Sequence, residues 1–456
     1  MSRRVVITGL GVVSGCGVGP EVFWEALRNG PRPPKLISRF APESFPCRVA
    51  YEVDAAVGAK DYVPKAYRKA VKVMARDTEL AVIAAAVAVK DASLSTRIHS
   101  EAEGTPPTFP SERLGCQIGA GLIPAEVPEL AAAFVTAKSP APTPEELEQA
   151  NGFSVRAWGT VGEGSGGGMN NLPPLWLLKY LPNMLACHVT ILHGAEGPSN
   201  TLTCSEASGL LSLGESCRVI ERDAAEACFS GGAESKVNLM GMMRQTLLER
   251  LAPAKNPAEA ARVRPFDPAS AGVIPGEGGG ILILEEAGAA KARGVRTYAS
   301  IAGFGAAQSL GGPAFARSAG GDPAPRARGL VLAIRAALRD AGVSPAEIGA
   351  VVPQSCGAPA SDAAELLALR EVFGDRLAAL PIIPIPPIVG DCAAGAGGLQ
   401  AAAAALCLHP RELPSHLRWN GTPFIAAPAE PFDLNRVLVC TGSLAGQNAA
   451  MILGRV

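Results

Sequence analysis

Three short stretches of this 456-residue chain carry side chains that could do chemistry. The first, GPSNTLTCSEASG over 197–209, reads as a Gly-Pro turn, a β-prone run, then small residues and a glycine. That is the local pattern of a reactive side chain perched at the start of a helix. On the perch stands Glu206, with Cys204 two residues before it. The second stretch, QSCGAPASD, offers Gln354 and Cys356, and the third, GDCAAGAGG, offers Asp391 and Cys392. Two carboxylates held together could share a proton, act as an acid/base pair in hydrolysis or decarboxylation, or hold a hard cation. A helix N-terminus would favour ionised Glu206, whereas burial, and Asp391 if the fold brought it close, would oppose it. The cysteines admit a nucleophile or a three-thiol metal set, although small buried hydrophobes are the commoner fate of such residues. Placed on a strand, Cys204 keeps the face of Glu206 but lies about 7 Å from the helix start.

The rest of the composition narrows these options. Eleven cysteines at irregular spacing, none in a CxxC pair and odd in number, fit reduced thiols in a cytoplasm. His99, His188, His193, His409 and His416 do not cluster with cysteines, so neither a zinc site nor any other metal or cofactor is expected. The net charge is −1, with Lys and Arg read as scattered singly, which leaves no footprint for nucleic acid or an anionic membrane. No apolar run approaches the roughly 18 residues of a membrane span. The opening MSRRVVITGLGVVSG reads as strand and turn rather than signal peptide, its apolar run being short and glycine-broken. GLGVVSG puts Ser14 at the third glycine of a dinucleotide fingerprint and is not followed by a matching acidic residue.

The elements that must position these side chains alternate between strand and helix. RRVVITGL reads as the first strand and EVFWEALRNG as the first helix. A helix apolar nearly all round is expected over 74–92, buried between layers. Stretches 93–112 and 138–155, rich in Pro, Ser, Thr and Glu, read as surface excursions. ERLGCQIGAGL and ACFSGGAES read as strands, with helices in LPNMLACHVTILHG and LLSLGESCRVIERDAA on either side of Glu206. Beyond a polar, proline-bearing segment at 252–271 come the strands GGGILILEE, YASIAGFGAA and GAVVPQS, helices over 325–341, SDAAELLALREVFG and GLQAAAAALCLH, and two closing strands. The alternation implies mixed or parallel sheets covered by helices, an α/β fold.

Several segments taken together resemble the β-ketoacyl-(acyl carrier protein) synthase family. They are RRVVITGLGVVSGCG, NMLACHVTILHGAEGPSNT, FSGGAES, RPFDPASAGVIPGEGGGILILEEAGAAKARG and GQNAAMIL, in the family's order. The resemblance implies a thiolase-like fold, with a five-layered αβαβα core from two similar halves, 1–255 and 256–456, the excursions being insertions in the first. It also implies dimers. The family's reaction is a Claisen condensation. It needs a thiolate at a helix N-terminus, backbone donors for an oxyanion, imidazoles that stabilise an enolate, and a lysine that balances charge.

Matched position by position, the family's cysteine falls on Glu206, its two histidines on Gln354 and Asp391, its lysine on Pro386 and its gating phenylalanine on Leu444. No histidine of this chain lies within ten residues of 354 or 391. The resemblance therefore implies a condensation-incompetent homologue, a pseudoenzyme similar to the chain length factors of type II polyketide synthases. Those proteins usually carry glutamine where this chain has Glu206. The implied partners are acyl carrier protein and a cysteine-containing ketosynthase paralogue as heterodimer partner, otherwise a second copy, in fatty-acid or polyketide assembly. Two alternatives stand beside this: a malonyl-thioester decarboxylase or hydrolase using Glu206 and Asp391, and an acyl or carrier-protein binding protein without turnover. In each, the candidate pocket is Glu206, Gln354, Asp391, Leu444, Cys204, Cys356 and Cys392.

Overall fold

In a computed structural model of the chain, the described residues are 3–137, 143–145, 153–154, 158, 167–172, 175–310, 322–419 and 424–456. The main strands are β1 (Val5–Ser14), β2 (Leu114–Ala120), β3 (Ser199–Leu202), β4 (Ala227–Ser235), β5 (Glu277–Glu286), β6 (Ala299–Gln308), β7 (Ala350–Val352), β8 (Arg436–Gly442) and β9 (Gln447–Gly454). They lie side by side in the order β7-β8-β9-β6-β1-β5-β4-β2-β3. The β1–β5 pair is antiparallel, whereas β2 runs parallel to both β3 and β4, and β7 parallel to β8. Only Val5–Ile7 pairs with Ala299–Ile301 between β1 and β6, so the sheet is narrow at its middle.

Helices cover the strands in layers. The main ones are α1 (Pro20–Asn29), α2 (Arg76–Asp91), α3 (Val127–Thr136), α4 (Met184–His193), α5 (Ser208–Glu221), α6 (Leu239–Leu247), α7 (Ala324–Ala341), α8 (Pro359–Phe373) and α9 (Ala396–Leu408). Outermost on one side is α2, packed on β1, β4 and β5; outermost on the other is α7, packed on β6 and β9. Between them α5 and α9 touch each other and strands of both regions. This is the five-layered α/β arrangement of the thiolase-like fold. Strand β4 is buried along its whole length, and α9 is buried at every residue from Gly397 to Leu408, because a helix of alanines can accept neighbours on all sides.

Most elements fall where the pattern put them, and the departures have physical reasons. The GAVVPQS strand stops at Val352, since Pro353 has no N–H for the ladder. The 93–112 stretch contains a helix, Arg97–Glu103, opened by a reciprocal cap between Thr96 and His99. The 138–155 stretch lies for the most part outside the described residues. Helix α3 was not expected. Only Ala133 of it is buried, so its sequence is apolar without the stripe that marks a core helix.

Candidate functional site

The site is built where the two central helices begin. Glu206 lies in a single 3-10 turn, Ser205–Ala207, that leads into α5, and Asp391 lies just ahead of the turn Ala393–Gly395 that leads into α9. The helix starts cross at glycines. A Cβ on Gly397 would stand 2.3 Å from the backbone nitrogen of Leu210, and one on Gly209 would stand 2.7 Å from the Ala394 carbonyl oxygen. Side chains there would force the helices apart and separate the carboxylates they carry. Ser205 has φ +54°, so the approach to Glu206 makes a left-handed turn at a non-glycine residue.

What joins the two carboxylates is a residue that sequence reading did not single out. Arg250, on the loop after α6, sends its guanidinium inward and is 2% exposed. Its Nη1 donates to Glu206 Oε1 at 2.7 Å, and its Nη2 lies 3.6 Å from Asp391 Oδ2 and 3.9 Å from Cys356 Sγ. The other Glu206 oxygen accepts the backbone N–H of Leu444 at 3.1 Å. Asp391 Oδ1 accepts the N–H of Ala393 at 3.0 Å.

Of the remaining candidates, Cys356 and the Leu444 backbone touch this triad and the others surround it. The Gln354 side-chain oxygen accepts the N–H of Gly442, and its backbone N–H donates to Glu365. Gln354, Pro386, Asp391 and Cys392 border a cavity of about 10 Å³, room for one water at most. Pro386 opens the short helical turn Pro386–Val389. Cys204 lies past the end of β3, not on a strand as expected, and its N–H donates to Ser208 Oγ. Cys356 Sγ donates to Asp362, and Cys392 Sγ to the Val389 carbonyl. Burial pushes all three thiols up, which keeps them protonated. Among the described residues no three His, Cys, Asp or Glu side chains converge as a metal set.

Electrostatics follow from this geometry. Burial raises the Glu206 carboxyl, but the Arg250 charge and hydrogen bond outweigh it and hold the group well below the usual carboxylate range. For Asp391 burial prevails over the more distant Arg250, with the Glu206 charge adding to it, and its carboxyl is raised. Arg250 thus serves an ionised Glu206 first and Asp391 second, with the buried Lys236 adding a weaker favourable charge to both. The open question between dipole and burial at Glu206 is settled by a third group.

Two family models match the chain. The Beta-ketoacyl synthase N-terminal domain matches residues 2–123 and 148–290, and the Beta-ketoacyl synthase C-terminal domain matches residues 298–420. The chain belongs to the β-ketoacyl synthase family. Among curated β-ketoacyl synthases it is similar to 3-oxoacyl-(acyl-carrier-protein) synthase 2 of Staphylococcus aureus (strain COL), 27% identical over 99% of this chain and 98% of that one. It is similar to the same-named protein of Coxiella burnetii (strain RSA 493 / Nine Mile phase I), 26% identical over 100% of this chain and 99% of that one. Among solved structures the ishigamide ketosynthase/chain length factor superposes with a TM-score of 0.77 at 26% identity, covering 100% of both chains. A β-ketoacyl synthase from Burkholderia phymatum STM815 superposes at 0.75 with 22% identity, again over 100% of both chains, and shows the fold.

Sequence carried one indirect signal for Arg250. Placing carboxylates at buried positions 206 and 391 while putting proline at 386 requires a compensating cation from elsewhere, because unpaired buried charge is prohibitively costly. That reasoning demands a cation but does not say which of the chain's arginines and lysines supplies it.

Proposed function

We propose that this member of the β-ketoacyl synthase family is condensation-incompetent and acts as a partner subunit in type II fatty-acid or polyketide assembly, in the manner of a chain length factor. The observation that carries the reading is the buried Glu206–Arg250 pair. It fills the place that the resemblance gives to the nucleophile, and it takes the Leu444 N–H as a hydrogen-bond donor. An anion there repels both a malonyl carboxylate and a developing oxyanion. Chemistry by Glu206 and Asp391 as a proton-sharing pair is disfavoured, since Arg250 stands between them and keeps Glu206 ionised.

Surface features support a partner role. Leu122, Val135, Leu175, Leu177 and Leu247 are large apolar side chains left exposed. Their segments are linked: Arg244 donates to the Leu122 carbonyl, and Glu129 accepts from both Trp176 and Lys179. Exposed apolar side chains on linked segments suit a protein interface. Strand β3 closes the sheet as a half-exposed edge, a ready template for another chain. Lys60, Lys65, Arg68, Lys69 and Lys72 are all exposed and fall in one short segment, so cations read as scattered gather in one place. That strip suits an acidic partner, the role we assign to acyl carrier protein.

Native mass spectrometry of the protein purified from its own host tests the reading. A complex with a cysteine-bearing ketosynthase is the expected result. A homodimer that condenses or decarboxylates malonyl carrier protein unaided would overturn it, and a homodimer that holds carrier protein without turnover would favour the binding-protein alternative.

A further inference from the structure

A cavity among the described residues opens away from Glu206, partly open to solvent. It has a volume of about 520 Å³, within the range of small-molecule sites. Eight of its lining residues are prolines, drawn from segments 31–34, 257–265 and 384–387, with Tyr51, Ile274, Leu417 and Phe424 between them. Prolines hold fixed backbone angles and carry no N–H, so these walls are rigid and nearly devoid of donors. They are also pinned together. Tyr51 Oη donates to the carbonyls of Arg32 and Pro387 at 2.7 and 3.1 Å, and the Arg32 N–H donates to Pro387 at 3.1 Å.

Against this apolar lining the charged groups are few. Arg264 is paired with Asp267 at 2.8 Å. Arg32, half-buried at the rim, has no carboxylate partner among the described residues. At the inner end is Cys356, 2% exposed, whose sulfur also touches Arg250. The cavity therefore has one cation without a carboxylate partner, a largely apolar lining, and in Cys356 a lining residue that contacts the buried ion pair.

We propose that this cavity is a binding site for a free aliphatic carboxylate, with the carboxylate on Arg32 and the chain laid along the proline walls toward Cys356. The donor inventory decides the class of ligand. Tyr51 already spends its hydroxyl proton on backbone carbonyls, which leaves the Arg32 guanidinium as the strong donor, and a guanidinium pairs best with a carboxylate. This cavity adjoins the Glu206 region through Cys356 and Pro386, but the assignment of its ligand does not depend on the proposed function.

Isothermal titration calorimetry with decanoate, kept below its micellar concentration, and with decanol tests the assignment. The full-length protein should bind decanoate at one site and decanol about tenfold more weakly. Arg32→Gln should weaken decanoate to the level of decanol and leave decanol unchanged. Ala426→Trp, at an exposed lining position that does not disturb the core, should abolish binding of both. Thermal melting of each variant would show that the fold is intact. Absence of saturable decanoate binding by the unmodified protein would overturn the proposal. So would decanol binding as tightly as decanoate, or binding that survives Ala426→Trp.

Discussion

Replacing Arg250 with methionine removes the cation from the Glu206–Arg250–Asp391 triad while keeping most of the side-chain volume. Glu206 and Arg250 are 2% exposed and 2.7 Å apart, so the variant leaves a desolvated carboxylate held by the Leu444 N–H and local donors but with its cation removed. Breaking a buried pair in this way costs about 3–5 kcal/mol, and urea unfolding at pH 7 should show a loss of that size. The pH dependence adds a second, independent mark. In the unmodified protein the Glu206 carboxyl is depressed, so its contribution to stability is present above the ordinary carboxylate range and is lost only as pH falls below it. Without Arg250 the largest opposing influence on burial is gone, and the carboxyl is raised relative to the unmodified protein. The folded variant then holds a proton that the unfolded chain releases, and its stability falls as pH rises from about 4 toward 7. Arg250→Met should therefore be closer to the unmodified protein at pH 5 than at pH 7. Adding Glu206→Gln should restore much of the loss, and the double-mutant cycle should return a coupling of several kcal/mol. A variant within about 0.5 kcal/mol of the unmodified protein at pH 7, with the same pH profile, would refute the idea that Arg250 holds the site together.

Glu206→Cys alone should yield no condensation in a malonyl carrier-protein assay, because the new thiol faces Arg250 without an imidazole, and turnover at a ketosynthase-like rate would contradict this. His193 is held at about 3 by burial and then by the charges of His99 and Arg97, so it stays neutral when folded. Stability present above the ordinary histidine range is therefore lost as pH drops toward 3, by about 2 kcal/mol at pH 5. His193→Phe should flatten that limb in denaturant titrations at pH 5 and 7. Gly397→Ala should destabilise by about 1–3 kcal/mol or more in urea unfolding, since its Cβ would stand 2.3 Å from the Leu210 backbone nitrogen.

The layers of the fold were legible because alternation and all-round apolarity are local properties of sequence: β4, α2 and α9 each declare themselves within a dozen or so residues. Glu206, Gln354, Pro386 and Asp391 were legible for a different reason, since each sits at a fixed step inside a recognisable motif. Arg250 was not, because its partners are 44 and 141 positions away and nothing in LLERLAPAK distinguishes an arginine that turns inward from one that stays in water. The proline-walled cavity was hidden likewise. Its prolines come from three distant segments, each of which reads alone as an ordinary loop.

The Glu206–Arg250 pair also bears on how this chain can change over generations. Restoring a thiol at 206 strands a buried guanidinium, and removing Arg250 first strands a buried carboxylate, so either single step passes through a destabilised protein. On the proposed function, a condensing site would further require different side chains at 354, 386 and 391. The ion pair therefore locks its two members to each other: change at either position is tolerated only when the other changes with it.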